Sequence, residues 1–107
     1  IMGLTFKENC GDLRNSGTNR IVQKLKKYKC DLHLYDPWAN NDDIKNLYEI
    51  ALTKSLKRNT YDAILLTVGH NQFKKMNIKF IKSLGKKKFI LYDLKYIFSK
   101  KETDLRL

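Results

Sequence analysis

The sequence predicts a three-layer α/β domain, in which helices cover both faces of a mainly parallel sheet. Segments with the apolar spacing of helices alternate along the chain with apolar runs typical of strands. The chain has 107 residues, of which 42% are hydrophobic, so we expect one domain over residues 1–107 with one modest core. The sequence contains no internal repeat and no low-complexity segment.

Three helices are predicted, the first and the third from the apolar residues they contain and the second from its capping and acidic residues. The first covers residues 17–29, where lysines lie between the apolar positions. The second covers residues 42–48; asparagines before it are favourable caps, and acidic residues occupy its first turn. The third covers residues 78–84 and is expected to end at Gly85 as a C′ residue.

Three strands are predicted between these helices. Residues 30–35 alternate in polarity, and the strand would close at Asp36-Pro37 because proline cannot continue a ladder. Residues 61–68 form the most apolar run, which indicates a central parallel strand buried on both faces. Residues 88–93 form the last clear strand. Strands that alternate with helices predict a Rossmann-like sheet, which binds ligands at the carboxyl ends of its strands.

A charged loop joins the first apolar run, residues 1–4, to the first helix. The loop contains Lys7, Arg14 and two carboxylates, and it shows no helical or strand periodicity. Asn15 and Ser16 follow as favourable helix N-caps. Free backbone N–H groups at a helix N-terminus attract anions, and the two cations add to this effect. The loop is therefore predicted to bind an anion, with phosphate favoured.

The net charge of +11 raises the alternative of a nucleic-acid-binding domain. The lysines, however, are spread along the whole chain, and no zinc-finger, homeodomain or RRM signature accompanies them. We therefore favour a solvated, lysine-rich surface. Two cysteines and two histidines lack the spacing of a metal site, so no metal is expected. The chain has no run of 18 apolar residues and no signal-peptide pattern, so we expect a cytoplasmic protein with no membrane segment.

The string GLTFKENCGDLRNS, residues 3–16, resembles the opening of the C-terminal, UDP-binding domain of the UDP-glucose/GDP-mannose dehydrogenase family. It is most similar to bacterial UDP-N-acetylhexosamine 6-dehydrogenases of capsule and O-antigen synthesis, which usually read GLTFKEN-x-PD-x-RNS. Gly11 is a departure, because the family generally has proline there, and glycine is expected to loosen the loop. Asp36-Pro37, His70-x-x-Phe73 and the tail at residues 103–107 extend the resemblance.

The resemblance implies an enzyme that oxidises the primary alcohol at carbon 6 of a UDP-sugar to a carboxylate, in two NAD-dependent hydride transfers. The product would be a uronic acid precursor for surface polysaccharide. The chain begins at Ile1 as if at the end of a strand, so we expect a fragment of a longer dehydrogenase. The fragment alone is expected to be inactive, because the family's NAD domain and catalytic cysteine belong to preceding parts of the enzyme.

The resemblance also assigns site residues. Phe6 would pack on the substrate, Lys7 would approach its sugar or phosphate, and Lys95 would contact the nucleotide sugar after the last strand. Arg14 would face NAD bound to the missing domain. Asp12 would either contact substrate or hold Arg14 in place, and both roles stay open. The residues expected to bind substrate are Phe6, Lys7, Glu8, Asn9, Asp12 and Lys95.

Three other candidate residues, Cys10, His70 and Arg106, are not assigned to the site. Cys10 occupies a variable position of the loop, so it receives no catalytic role. His70 is interpreted as a structural or loop histidine rather than a base, and the role of Arg106 stays open. The five glycines, which include Gly3 and Gly17, are too scattered for a G-x-G-x-x-G dinucleotide motif.

The expected partners are a UDP-sugar, the remaining domains of the enzyme, and further copies of it in a homodimer or larger homo-oligomer. UDP-GlcNAc and UDP-GalNAc are favoured over UDP-glucose by the FKEN form of the loop. Two alternatives stay open. One is a stand-alone nucleotide-binding regulatory module, and the other is a basic nucleic-acid-binding domain, whose affinity would fall steeply with salt and would not respond to UDP.

Overall fold

The computed structural model describes residues 1–106; Leu107, the last residue of the predicted tail, lies outside the described residues. Helices and strands alternate along most of the chain. In chain order the elements are α1 (Thr18–Lys27), α2 (Asn41–Tyr48), β1 (Tyr61–Leu66), α3 (Asn71–Lys75), α4 (Ile78–Leu84), β2 (Gly85–Asp93), a short 3₁₀ helix (Lys100–Glu102) and β3 (Leu105–Arg106).

The three strands form a parallel sheet in the order β1-β2-β3. Three shorter segments extend the sheet beyond β1 through parallel bridges. Met2 bridges to Leu66 of β1 on one side and to Tyr35 on the other, and Leu34 bridges to Leu52. Numbered by chain position, the six segments lie in the order 3-2-1-4-5-6, the order of a doubly wound, Rossmann-like sheet. The predicted α/β class with a parallel sheet is confirmed.

The hydrophobic core lies on both faces of this sheet. Leu34 packs in one cluster with residues of α1 and α2, whereas its neighbour Tyr35 packs against a second cluster built from α3, α4, β1 and β2. Because successive side chains of a strand point to opposite faces, the two clusters lie on opposite sides of the sheet. The domain therefore has the three predicted layers.

The predicted helices are present with small changes at their ends. α2 begins as expected, because the Asn40 side chain accepts a hydrogen bond from the Asp43 N–H, at 3.1 Å. The caps predicted for α1 are wrong. Gly17 is the N-cap and makes no side-chain cap, while Asn15 has a φ of 59° and Ser16 donates its hydroxyl to the Thr5 carbonyl.

Three further expectations are corrected. The strand predicted over residues 30–35 is reduced to bridges at its last two residues, since only those reach the neighbouring segments. β1 is central but is not buried on both faces along its whole length, because Asp62 and Ala63 are exposed. Gly85 is not a left-handed C′ residue, since its φ is −74°. Its small size matters instead, because a Cβ there would overlap with the ring of Phe89.

Tyr48 at the end of α2 provides a test of the core. Its side chain is fully buried, and its hydroxyl has no hydrogen-bond partner among the described residues. We expect Tyr48→Phe to leave stability unchanged or to raise the free energy of unfolding by about 1 kcal/mol, because an unsatisfied buried hydroxyl is removed. Chemical denaturation at pH 7 measures this. A clear loss of stability would show that the hydroxyl is satisfied.

The same residue predicts a difference at alkaline pH. Burial raises the pKa of Tyr48 above its ordinary value of 10.0. Above that pH the unfolded chain loses the phenol proton while the folded chain keeps it, so ionisation favours unfolding. The wild type should therefore lose more stability than Tyr48→Phe as the pH rises above 10. Tyr28→Phe, at an exposed position, is the control and should behave like the wild type.

Candidate nucleotide-binding cleft

The site begins at the topological switch point of the sheet, between the Met2 segment and β1. Chain connections leave these two neighbours in opposite directions, and open α/β sheets bind ligands where their carboxyl ends diverge. Met2 and β1 are joined closely here: the Met2 N–H donates to the Leu65 carbonyl at 2.8 Å, and the Thr67 N–H donates to the Met2 carbonyl at 3.0 Å. The residues that follow both segments form a cleft.

The loop that follows Met2 is closed on itself. Gly3 turns the chain with a φ of 109°. The Phe6 N–H then donates to the Asp12 carbonyl at 2.7 Å, and the Thr5 hydroxyl donates to the Lys7 carbonyl at 3.1 Å. Thr5 is buried beneath the loop, whereas Phe6 and Lys7 are exposed. The loop therefore presents an aromatic ring and an ammonium group at the carboxyl edge of the sheet.

Four parts of the fold line the cleft, which has a volume of about 270 Å³. One side is the loop, the floor is the end of β1 with Thr67 and Val68, and a third side is the start of α1. Lys95, which follows β2, completes the rim. The lining residues are Thr5, Phe6, Lys7, Glu8, Gly17, Thr18, Ile21, Thr67, Val68, Leu94 and Lys95.

The charges of the cleft suit an anionic ligand. Lys7 and Lys95 supply two ammonium groups, and within residues 1–106 neither takes part in an ion pair. The Thr18 hydroxyl and the first turn of α1 add hydrogen-bond donors, whereas the hydroxyls of Thr5 and Thr67 already donate to backbone carbonyls. Glu8 is the one lining carboxylate among the described residues. Phosphate groups together with an apolar or aromatic moiety fit this mixture of groups.

A buried, hydrogen-bonded pair of side chains lies beneath the loop. His70, which follows β1, and Asp36, which follows the bridge at Tyr35, have fully buried side chains, and the His70 Nε2 and Asp36 Oδ2 atoms are 3.0 Å apart. The Leu4 N–H donates to Asp36 Oδ2 at 2.6 Å, and the Asn9 N–H donates to His70 Nδ1 at 2.9 Å. The pair thus contacts the loop on both sides of residues 5–8.

Comparison with known proteins identifies the family. Residues 1–100 match the family described as UDP-glucose/GDP-mannose dehydrogenase family, UDP binding domain. This chain belongs to that family. The resemblance of the GLTFKEN loop is therefore confirmed, and the cleft lies in a domain type described as UDP-binding.

Curated relatives agree with this membership. UDP-N-acetyl-D-glucosamine 6-dehydrogenases from Salmonella typhi and Pseudomonas aeruginosa are each 43% identical over 107 residues, which is 100% of this chain and 25% of each relative. Protein CapL from Staphylococcus aureus is 32% identical over 98% of this chain and 24% of its own length. The chain thus spans about a quarter of the length of these relatives.

A solved structure shares the fold. The UDP-D-ManNAc dehydrogenase from Pyrococcus horikoshii superposes with a TM-score of 0.71 and 25% sequence identity, over 92% of this chain and 22% of that one. This similarity supports the Rossmann-like assignment for the domain. Separately, no helix within residues 1–106 is both long enough and apolar enough to cross a membrane.

The structure brings together four of the residues predicted from the sequence. Phe6, Lys7, Glu8 and Lys95 all line the cleft, although Lys95 is far from the others in the sequence. Their roles as ligands stay predictions. Their common location, however, is what the predicted anion site requires.

Asp12 and Arg14 lie elsewhere. Both Asp12 carboxylate oxygens accept hydrogen bonds from the Arg14 guanidinium, each at 3.0 Å. The Arg14 hydrogen bonds hold the pKa of Asp12 below its ordinary value. The pair lines a separate surface depression beside α2 and does not line the cleft. Holding Arg14 in place is therefore the role of Asp12 that the geometry favours.

Asn9 also has structural partners. Its φ is 55°, and its side-chain oxygen accepts a hydrogen bond from the Asn71 N–H at 2.9 Å. It joins the loop to the start of α3 and does not line the cleft. Binding of substrate by Asn9 stays a prediction.

Gly11, where the family generally has proline, lies against the chain after the Tyr35 bridge. A Cβ at this position would lie 3.0 Å from the Trp38 carbonyl oxygen. Glycine therefore allows these two backbone segments to approach closely. This close contact is a reason for glycine in place of the family's proline, in addition to the expected loosening of the loop.

Sequence reasoning missed the Asp36–His70 pair. It treated Asp36 only as the end of a strand and His70 as a structural or loop histidine, an interpretation that the full burial of His70 supports. Asp36 directly follows one predicted strand and His70 lies two residues beyond another, so their approach at the carboxyl edge could have been inferred. Cys10 and Cys30 are free thiols, and residues 1–106 contain no cluster of three or more metal-binding side chains.

Proposed function

We propose that this chain is the UDP-sugar-binding domain of an NAD-dependent UDP-sugar 6-dehydrogenase. The observation on which this rests is the cleft at the switch point, which Lys7, Lys95 and the start of α1 all line. Membership of a family described as UDP-binding supports the choice of ligand. The two ammonium groups would hold the diphosphate, and Phe6 would pack on an apolar or ring face of the substrate.

We propose the primary alcohol at carbon 6 of the sugar as the reacting group, oxidised to a carboxylate to give a uronic acid precursor for surface polysaccharide. UDP-GlcNAc is the favoured substrate, because the two relatives at 43% identity are named for UDP-N-acetyl-D-glucosamine. UDP-GalNAc stays a second candidate. In this reaction the domain supplies binding energy remote from the reacting carbon, and that energy orients carbon 6 and helps exclude water from it.

The residues that the structure describes lack the features of an NAD-binding site. The loop after Met2 contains Gly3 and Gly11 but no G-x-G-x-x-G sequence, and the Phe6–Asp12 hydrogen bond closes it without a glycine-lined phosphate turn. We therefore propose that NAD is bound by another part of the enzyme. Arg14, whose side chain is 87% exposed, is free to contact that cofactor from outside the cleft.

Lys7→Ala tests this function. UDP is titrated into the wild-type chain and into the variant by calorimetry, at low and at physiological salt. We expect saturable binding by the wild type and a loss of about tenfold or more in affinity for Lys7→Ala, because a charge-assisted hydrogen bond contributes about 1.5 kcal/mol or more. Lys27→Ala removes the same charge from an exposed position of α1 and should bind UDP as the wild type does.

The result separates the specific site from the general positive charge. Equal weakening by both lysine variants, together with a steep loss of affinity in salt, would favour non-specific attraction and the nucleic-acid alternative. If the wild-type chain does not bind UDP, the same titration with the full-length polypeptide shows whether other domains complete the site. Failure of both titrations would reject the proposed function.

A further inference from the structure

The buried pair beneath the loop has only one consistent arrangement of protons. A backbone N–H can only donate, so the contact from Asn9 requires an unprotonated Nδ1 on His70. The proton of the neutral ring is then on Nε2, which donates to Asp36 Oδ2. The Thr5 hydroxyl oxygen, 3.3 Å from Nε2, is a second acceptor for the same proton. His70 thus acts as acceptor on one side and as donor on the other.

These hydrogen bonds hold both ends of the segment that lines the cleft. Asp36 accepts the Leu4 N–H before the segment, and His70 accepts the Asn9 N–H after it. Residues 5–8 span the interval, and all four line the cleft. The Asn9 N–H bond to His70 fixes the point at which this segment leaves the cleft. The pair holds the segment from a position closed to solvent.

We propose that His70 and Asp36 form a positioning pair, which holds residues 5–8 in the conformation that receives the nucleotide diphosphate. Neither side chain lines the cleft, so the pair acts through the loop and not on the ligand itself. The inference rests on the proposed UDP-sugar binding for the identity of the ligand. It adds a role for two residues, neither of which is among the predicted site residues.

Two substitutions of His70 separate its two hydrogen bonds. His70→Asn keeps the acceptor for the Asn9 N–H, because the asparagine amide oxygen and Nδ1 are both two bonds from Cβ, but this shorter side chain cannot reach Asp36. His70→Gln keeps the donor to Asp36, because the glutamine amide nitrogen and Nε2 are both three bonds from Cβ. It leaves the Asn9 N–H without its acceptor. Both variants leave a space where the ring was, so both should melt below the wild type.

The experiment measures UDP affinity by calorimetry and the melting temperature for the wild type and both variants. If the pair positions the loop, His70→Gln should bind UDP about tenfold more weakly, while His70→Asn stays within about threefold of the wild type. This order should hold even if His70→Asn melts lower. Affinities that fall in step with melting temperature, or equal affinities in both variants, would overturn the proposal.

A second measurement does not depend on ligand binding or on the stability of the variants. Nitrogen NMR of the wild-type imidazole should show an unprotonated Nδ1 and a protonated Nε2, and the Asn9 amide proton should show the shift of a strong hydrogen bond. A protonated Nδ1 at neutral pH would contradict the proposal. If this arrangement is observed but the wild-type and full-length proteins do not bind UDP, the proposed function fails while the positioning of the loop stands.

Discussion

Gly3→Ala is expected to destabilise the domain by about 3–5 kcal/mol, one of the largest effects of any single substitution in this chain. Gly3 has a φ of 109°, which an alanine adopts only with strain. An added Cβ would also lie 2.6 Å from both the backbone nitrogen and the Cβ of Val68. The backbone strain and the steric overlap both lower the stability of the variant, because neither the Met2 segment nor the end of β1 can move without breaking the sheet.

Chemical denaturation measures this loss, and Gly17→Ala is its control. Gly17 has a φ of −62°, and nothing lies within 4 Å of a Cβ at that position. The control variant should therefore be as stable as the wild type or slightly more so. Equal stabilities for the two alanine variants would show that the close contact between Gly3 and Val68 is absent. Because Gly3 turns the chain into the loop, Gly3→Ala should also weaken UDP binding.

Asp36→Ala is expected to cost about 3–5 kcal/mol, since it leaves three donors of a buried hydrogen-bond network without their acceptor. Its carboxylate accepts hydrogen bonds from the Leu4 N–H at 2.6 Å, the Trp38 N–H at 2.7 Å and His70 Nε2. All three donors lose their acceptor in the variant, and water has little access to replace it. In Asp36→Asn an NH₂ group replaces one of the two carboxylate oxygens. This group faces a hydrogen-bond donor in either orientation of the amide, so the variant should recover only part of the lost stability.

Denaturation of Asp36→Ala, Asp36→Asn and Asp31→Ala tests this order. Asp31 has a side chain that is 96% exposed, so its removal should leave the melting temperature almost unchanged. Fully wild-type stability in Asp36→Asn would mean that a neutral acceptor is sufficient and that the charge of Asp36 does not matter. Stability of Asp36→Ala equal to that of Asp31→Ala would contradict the hydrogen-bond network as a whole.

The candidate site depends on contacts between distant parts of the chain. Lys7 and Lys95 come from opposite ends of the sequence, and they line one cleft because the Met2 segment, β1 and β2 lie side by side in the sheet. The two lysines could each be proposed from the family resemblance. Their presence in one cleft depends on the order of the strands, which local sequence patterns do not contain.

Local patterns were sufficient for much of the fold. Apolar spacing located α1 and α4, and the apolar run at residues 61–68 located β1, because helices and strands have different periods of burial. Capping asparagines and first-turn acids located α2. The GLTFKEN string, by resemblance, located the loop that lines the cleft. In these cases the residues that determine the structure or motif are close neighbours in the sequence.

Tertiary structure decided the rest. Asn15 and Ser16 are good caps by composition, yet the hydroxyl of Ser16 bonds to Thr5, so α1 begins without a side-chain cap. The carboxylate of Asp36 and the ring of His70 meet only after two strands have aligned their carboxyl ends. Burial of that pair depends on the loop folding over it. Long-range contacts of this kind select among locally acceptable conformations, which is why only the folded domain reveals them.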